Sequence, residues 1–146
     1  MRPAMLLTEK HLDVRFCEVD AMHIVWHGHY IKYLEDGRED FGRQFGLSYQ
    51  SLAQAGYGIP IVTLEISYKK SLRYGDSLVV ETRYVACPTP KLCFEYRILN
   101  TATGQLVCTA RSTQVFIDSH QQLLLLAPPC YVEWQQQWLA CPQPVA

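Results

Sequence analysis

Between residues 30 and 46 the apolar residues recur at steps of three and four; over most of the remaining chain they recur at steps of two. That one change of period limits the fold more than any other feature. Tyr30, Tyr33, Leu34, Gly37, Phe41 and Phe45 form a single stripe, with Lys32, Glu35, Asp36, Glu39, Asp40 and Arg43 off it. The spacing predicts one long amphipathic helix ending near Gly46. A glycine inside such a stripe costs about 1 kcal/mol relative to alanine. Gly37 therefore makes sense where the helix must lie close against a sheet. A shorter helical piece is expected from Tyr49 to Ala55, stopped by Gly56.

The rest of the chain alternates. His11 to Cys17 places Leu12, Val14 and Phe16 on one face and Asp13 and Arg15 on the other, the pattern of a half-buried strand. Three further alternating runs follow: Val62 to Lys69, Leu78 to Tyr84 and Leu92 to Ile98. Leu106 to Ile117 is expected as a long last strand. Tyr74-Gly75-Asp76 supplies one turn and Asn100 to Gly104 another, while Pro88 and Pro90 interrupt the pattern between the second and third of these runs. Short connections between successive strands imply mostly antiparallel neighbours. Five such strands need their apolar face covered, and the one long helix is the available cover. The expected class is α+β, a five-stranded antiparallel sheet wrapped around one long central helix. Beyond Pro128-Pro129 a short helix is expected from Tyr131 to Leu139, followed by a loose tail. We expect one domain over 1–146, with its core at about 10–120 and a C-terminal extension at 121–146.

Composition removes several classes of function. The formal net charge is −1, and only Lys69, Lys70 and Arg73 cluster among the cations, which argues against a nucleic-acid binder. The six cysteines show neither a CxxC pair nor a Cys/His cluster with zinc spacing. Free thiols in a reducing cytoplasm are expected, with no metal and no cofactor. The apolar stretch Ala4 to Leu7 is too short for a secretory leader. No segment approaches the roughly 20 apolar residues that cross a bilayer.

Chemistry concentrates between the first strand and the helix, in Glu18-Val19-Asp20-Ala21-Met22-His23-Ile24-Val25-Trp26-His27-Gly28-His29-Tyr30. A helix start presents free N–H groups and a partial positive charge, both suited to a developing oxyanion. A carboxylate close by can attack a carbonyl or activate water. The bland alternative is a capping aspartate. Asp20 lies seven residues before His27, too far to cap a helix starting near Gly28, but it can cap a local turn through Met22 or His23. On spacing alone that reading is slightly ahead. His27 and His29, each taken alone, read as surface histidines.

The run Val14 to Arg38 resembles the signature of the 4-hydroxybenzoyl-CoA thioesterase-like group of hotdog proteins, which includes the acyl-CoA thioesterase encoded with the Tol–Pal envelope system. The resemblance rests on Glu18, Asp20, Ile24-Val25, Trp26, His27, Gly28 and Tyr30, then on Tyr33-Leu34-Glu35-Asp36-Gly37-Arg38, and extends over about residues 10–120. It implies the hotdog fold and hydrolysis of acyl-CoA to free acid and CoA. It makes Asp20 the catalytic carboxylate, nucleophile or general base, with His27 at the helix start. The N–H groups of His27 and Gly28 would polarise the thioester carbonyl. Tyr30 would line the acyl pocket or a dimer contact. Ile61, Val62 and Thr63 are implied pocket residues, and Lys70, Arg73 and Lys91 possible partners of CoA phosphates. The resemblance also implies a homodimer or a tetramer built from two dimers, with the active site between subunits. His23 stands where this group usually has glycine, and His29 where it usually has Asn or Ser. Two rival readings use the same residues: a thioesterase acting on acyl-carrier protein, and a non-catalytic acyl-ligand binding dimer. A hotdog dehydratase, built on a catalytic histidine, fits the aspartate loop poorly.

Overall fold

The structure is a computed structural model and describes residues 6–139. Strand β1 spans Leu7–Asp13, helix α1 His29–Phe45, helix α2 Tyr49–Gln54, strand β2 Ile61–Tyr68, β3 Ser77–Val85, β4 Lys91–Asn100, β5 Leu106–Val115 and helix α3 Pro129–Trp138. All five strands pair antiparallel in the order β1-β3-β4-β5-β2. Sequence neighbours β1 and β2 therefore sit at opposite edges. The connection between them carries α1 across the inner face of the sheet, which is the hotdog arrangement the alternation implied.

Strand periodicity sets which side chains meet that helix. Leu78, Val80, Thr82 and Tyr84 of β3 and Leu92, Phe94, Tyr96 and Ile98 of β4 are buried beneath the α1 residues Tyr30, Tyr33, Leu34, Gly37, Arg38 and Phe41. Gly37 is where helix and sheet come closest. A methyl carbon there would lie 2.6 Å from Thr82 Oγ1 and 2.7 Å from Val80 Cγ1, both on stiff β-branched side chains. Gly46 ends α1 with φ 75°, the left-handed cap that favours glycine.

Helix α3 closes the C-terminal end of α1. Trp134 Nε1 donates to the Phe45 carbonyl at 2.7 Å, and the Trp134 ring packs 6.4 Å from Phe41 and 5.0 Å from Tyr84. Pro129 sits in its first turn, where a missing N–H costs nothing. The helix starts two residues earlier than the apolar pattern implied, and the tail expected after Leu139 lies outside the described residues.

One strand differs from expectation. The alternation placed the first strand at His11 to Cys17, but pairing with β3 ends at Asp13 opposite Ser77. β3 turns away at Asp76, so only a single bond, Val14 N–H to the Asp76 carbonyl at 3.0 Å, extends the ladder. Residues Phe16–Glu18 instead wind into one 3-10 turn. Phe16, expected inside with Val14, is 75% exposed and meets only the edge of Tyr74.

Candidate functional site

The 3-10 turn leads into a small hairpin that positions Asp20. Val19 bridges to Val25, the Asp20 N–H donates to the Ile24 carbonyl at 2.9 Å, and the His23 N–H returns to the Asp20 carbonyl at 2.9 Å. A turn this tight needs one residue in the left-handed region, and His23 takes it with φ 63°. That conformation costs a non-glycine residue on the order of 1 kcal/mol, which accounts physically for the glycine that similar signatures carry at this point.

The local-turn reading of Asp20 holds for half of its carboxylate. Oδ1 accepts the Met22 N–H at 2.8 Å, while Oδ2 has no hydrogen-bond donor among the described residues. Asp20 is half-buried and lines a cleft of about 240 Å³ with His27, Tyr30, Met22, Tyr68 and Lys70. The structure thus brings together four of the residues singled out in the sequence, Asp20, His27, Tyr30 and Lys70, at one end of the sheet.

His27 and Tyr30 bring the start of α1 to the same cleft. Gly28 is already helical at φ −71° and ψ −24°, and no side chain caps the helix. The His29 N–H donates to the Trp26 carbonyl at 2.9 Å, but the N–H groups of His27 and Gly28 have no partner among the described residues. The Tyr68 hydroxyl donates to the His27 carbonyl at 2.8 Å. It thereby fixes the plane of the peptide that carries the Gly28 N–H. The Trp26 indole lies over Gly28, where a methyl carbon would sit 2.1 Å from it, so a larger residue there would have to displace the ring. The His27 and His29 rings flank that indole at 4.9 and 5.4 Å.

Two tyrosines of α1 lock this assembly. Tyr30 is buried, and its hydroxyl accepts the Leu72 N–H at 3.1 Å while the Leu72 carbonyl accepts the Val25 N–H at 2.8 Å. Tyr30 lines the cleft, and its hydroxyl is committed to Leu72. Tyr33 donates to Glu18 Oε1 at 2.9 Å, and Glu18 is only 3% exposed. Burial, reinforced for Tyr33 by the Glu18 carboxylate, raises both phenol pKa values, so each keeps its proton at ordinary pH. Sequence reasoning missed Glu18, Tyr33, Tyr68 and Leu72 as site residues. The two tyrosines were absorbed into apolar stripes, and Glu18 stood in the motif without a role.

Ile61, Val62 and Thr63 are not part of this cleft. They begin β2, whereas Tyr68 at its other end touches the site; five to seven residue steps of strand, about 16–23 Å, separate them. Lys70 lines the cleft, whereas Arg73 donates its N–H to Asp76 within the turn and Lys91 starts β4 at the far end of the sheet. Among the described residues no three His, Cys, Asp or Glu side chains are grouped to hold a metal ion.

The profile of the Thioesterase-like superfamily matches residues 14–139. YneP of Bacillus subtilis, provisionally classed as an acyl-CoA thioesterase, is 32% identical over 130 residues, covering 89% of this chain and 94% of that one. The DHNA-CoA thioesterase of Staphylococcus aureus superposes with a TM-score of 0.81 at 25% identity, over 90% of this chain and 89% of that one. The 4-hydroxybenzoyl-CoA thioesterase of Pseudomonas sp. strain CBS-3 shares the fold, with a TM-score of 0.75 at 24% identity over 88% of this chain and 98% of that one. With the motif, the sheet order and the profile in agreement, the chain belongs to the Thioesterase-like superfamily.

Proposed function

We propose that this protein is a thioester hydrolase that converts an acyl-CoA to the free acid and CoA, with Asp20 as its catalytic carboxylate. One observation carries the reading: the unpaired Oδ2 of Asp20 shares a cleft with a helix start whose His27 and Gly28 N–H groups are also unpaired. The thioester carbonyl oxygen accepts from those two N–H groups, which stabilise the charge that develops on it. Oδ2 then attacks the carbonyl carbon, or takes a proton from the water that does. The C–S bond breaks with its electron pair leaving on sulfur. The thiolate takes up a proton, from solvent on the direct route or from Asp20 on the water route. On the direct route water then cleaves the mixed anhydride left on Asp20, which releases the free acid and restores the carboxylate. A thiolate leaves readily, so one carboxylate and two donors suffice. The acyl-CoA thioesterase assignment of YneP, similar over nearly the whole chain, supports this reading. Among the described residues Cys17, Cys87, Cys93, Cys108 and Cys130 form no disulfide, which suits a reducing cytoplasm. No helix among the described residues is long and apolar enough to cross a membrane.

Assaying thiol release from short, medium, long and aromatic acyl-CoAs, with acyl-carrier-protein thioesters in parallel, tests the function. Turnover of at least one acyl-CoA is expected. Binding without thiol release from any of them would defeat the proposal, and turnover of carrier-protein thioesters alone would change the thiol carrier.

The working unit in this reading is at least a dimer. β2 is an edge strand paired only to β5, yet it exposes Val62 (53%) and Tyr68 (47%), and an apolar edge of this kind invites pairing with another strand. Two β2 edges paired antiparallel about a two-fold axis near mid-strand would set the partner's first β2 residues beside Tyr68. Ile61, Val62 and Thr63 would then wall the cleft of the other subunit, and Lys70 at its rim would face the CoA phosphates. Val62→Lys is expected to shift the protein from dimer to monomer in sedimentation velocity and to reduce turnover by about tenfold or more, as lost positioning does. Unchanged mass and turnover would remove β2 from the interface.

A further inference from the structure

Glu18 is a carboxylate that the chemistry proposed above leaves unused, and it is almost completely buried. Its Oε1 accepts the Arg15 N–H at 2.7 Å and the Tyr33 hydroxyl at 2.9 Å, while its carbonyl accepts the Trp26 N–H at 3.0 Å. The Arg15 guanidinium reaches Oε2 only at 3.5 Å from a largely exposed position. A carboxylate taken out of water is unfavourable unless such bonds hold it, and packing alone would be served by an apolar side chain. What this carboxylate adds is connection. Its side chain fastens the 3-10 turn to α1, and its backbone fastens the start of the Asp20 hairpin to its end.

Asp20 follows Glu18 by two residues, and the His27 and Gly28 N–H groups follow Trp26 directly. Both halves of the site therefore hang on the same residue. We propose that Glu18 and Tyr33 are positioning residues, which set the distance between the Asp20 carboxylate and the N–H groups at the start of α1. Glu18 does not line the cleft, so it acts through Asp20 and not on substrate. The consequence for turnover rests on the thioesterase reading; the consequence for the hairpin does not.

The test compares Tyr33→Phe, Glu18→Gln and Glu18→Ala by steady-state kinetics and by amide hydrogen exchange. Tyr33→Phe should lower kcat about tenfold or more with KM within about twofold, the mark of a contact that matters in the transition state. The Asp20, His23 and Trp26 amides, which close the hairpin, should exchange faster while those of β3 to β5 stay protected. Glu18→Gln keeps an oxygen able to accept both bonds and should retain most of kcat, whereas Glu18→Ala should not. Wild-type kcat and exchange in Tyr33→Phe would overturn the proposal. So would a Glu18→Gln enzyme as inactive as Asp20→Asn, which would make Glu18 a chemical participant. If Tyr33→Phe also loosens the strands, the contrast between Glu18→Gln and Glu18→Ala decides. If the wild-type protein hydrolyses no acyl thioester, the exchange measurement still decides between hairpin control and none.

Discussion

Asp20→Asn is expected to lower kcat for acyl-CoA hydrolysis by about 10²–10⁴-fold, the range associated with losing a positioned acid or base. The substitution separates the two oxygens of the side chain. Asparagine keeps an oxygen to accept the Met22 N–H, so the hairpin and its His23 turn should persist. At the Oδ2 position it presents an amide nitrogen, which neither attacks a carbonyl nor takes a proton from water. Thiol release in the presence of a chromogenic disulfide gives the rate, and thermal melting with sedimentation shows that fold and assembly are unchanged. A variant with near-normal turnover would remove Asp20 from the chemistry and return it to the role of a turn-forming residue.

The largest expected effect on stability comes from Phe41→Ala. Phe41 is fully buried, with ring centroids 4.7 Å from Phe45, 5.0 Å from Phe94 and 6.4 Å from Trp134. It is the residue through which α1, the sheet and α3 all touch. Large-to-small changes of this type cost about 3–5 kcal/mol, because the neighbours only partly collapse into the space. The rigid rings around this position favour the upper part of that range. For a chain of this size the loss corresponds to a melting temperature lower by roughly 10 °C or more. Denaturant unfolding should show a reduced midpoint at unchanged slope, and a loss below about 1 kcal/mol would mean that the cluster repacks.

The elements that sequence made legible are those whose pattern is periodic and whose partner lies within the chain. The stripe from Tyr30 to Phe45 is α1 to within one residue, and the alternating runs from Val62 onward are β2 to β5 to within two. Phe16 shows where the same logic fails: alternation continues through it, but its pairing partner has already turned away at Asp76. Periodicity records which residues prefer to be inside; a ladder also needs a strand opposite. At the site, Asp20 and the helix start stand out because they are close in the chain, but their spacing alone favours a turn-forming aspartate, and the catalytic reading comes from the resemblance. Glu18 and Tyr33 do not stand out, since a buried ion-to-phenol bond joins positions fifteen apart and leaves no periodic trace. The first residues of β2 lie about 16–23 Å along the strand from the cleft of their own chain, so they would reach a site only through a second molecule, as in the proposed dimer.

The turn formed by Asp20 has a consequence for how the group reacts. With Oδ1 accepting the Met22 N–H, one orientation of the carboxylate is favoured, and its two oxygens are no longer equivalent. In the proposed mechanism one is scaffold and the other is reagent. In that mechanism a free aspartate would have to give up its rotation on the way to the transition state, whereas this one has given up part of it in folding. The hydrogen bond that makes Asp20 look like an ordinary turn residue is thus also what aims it.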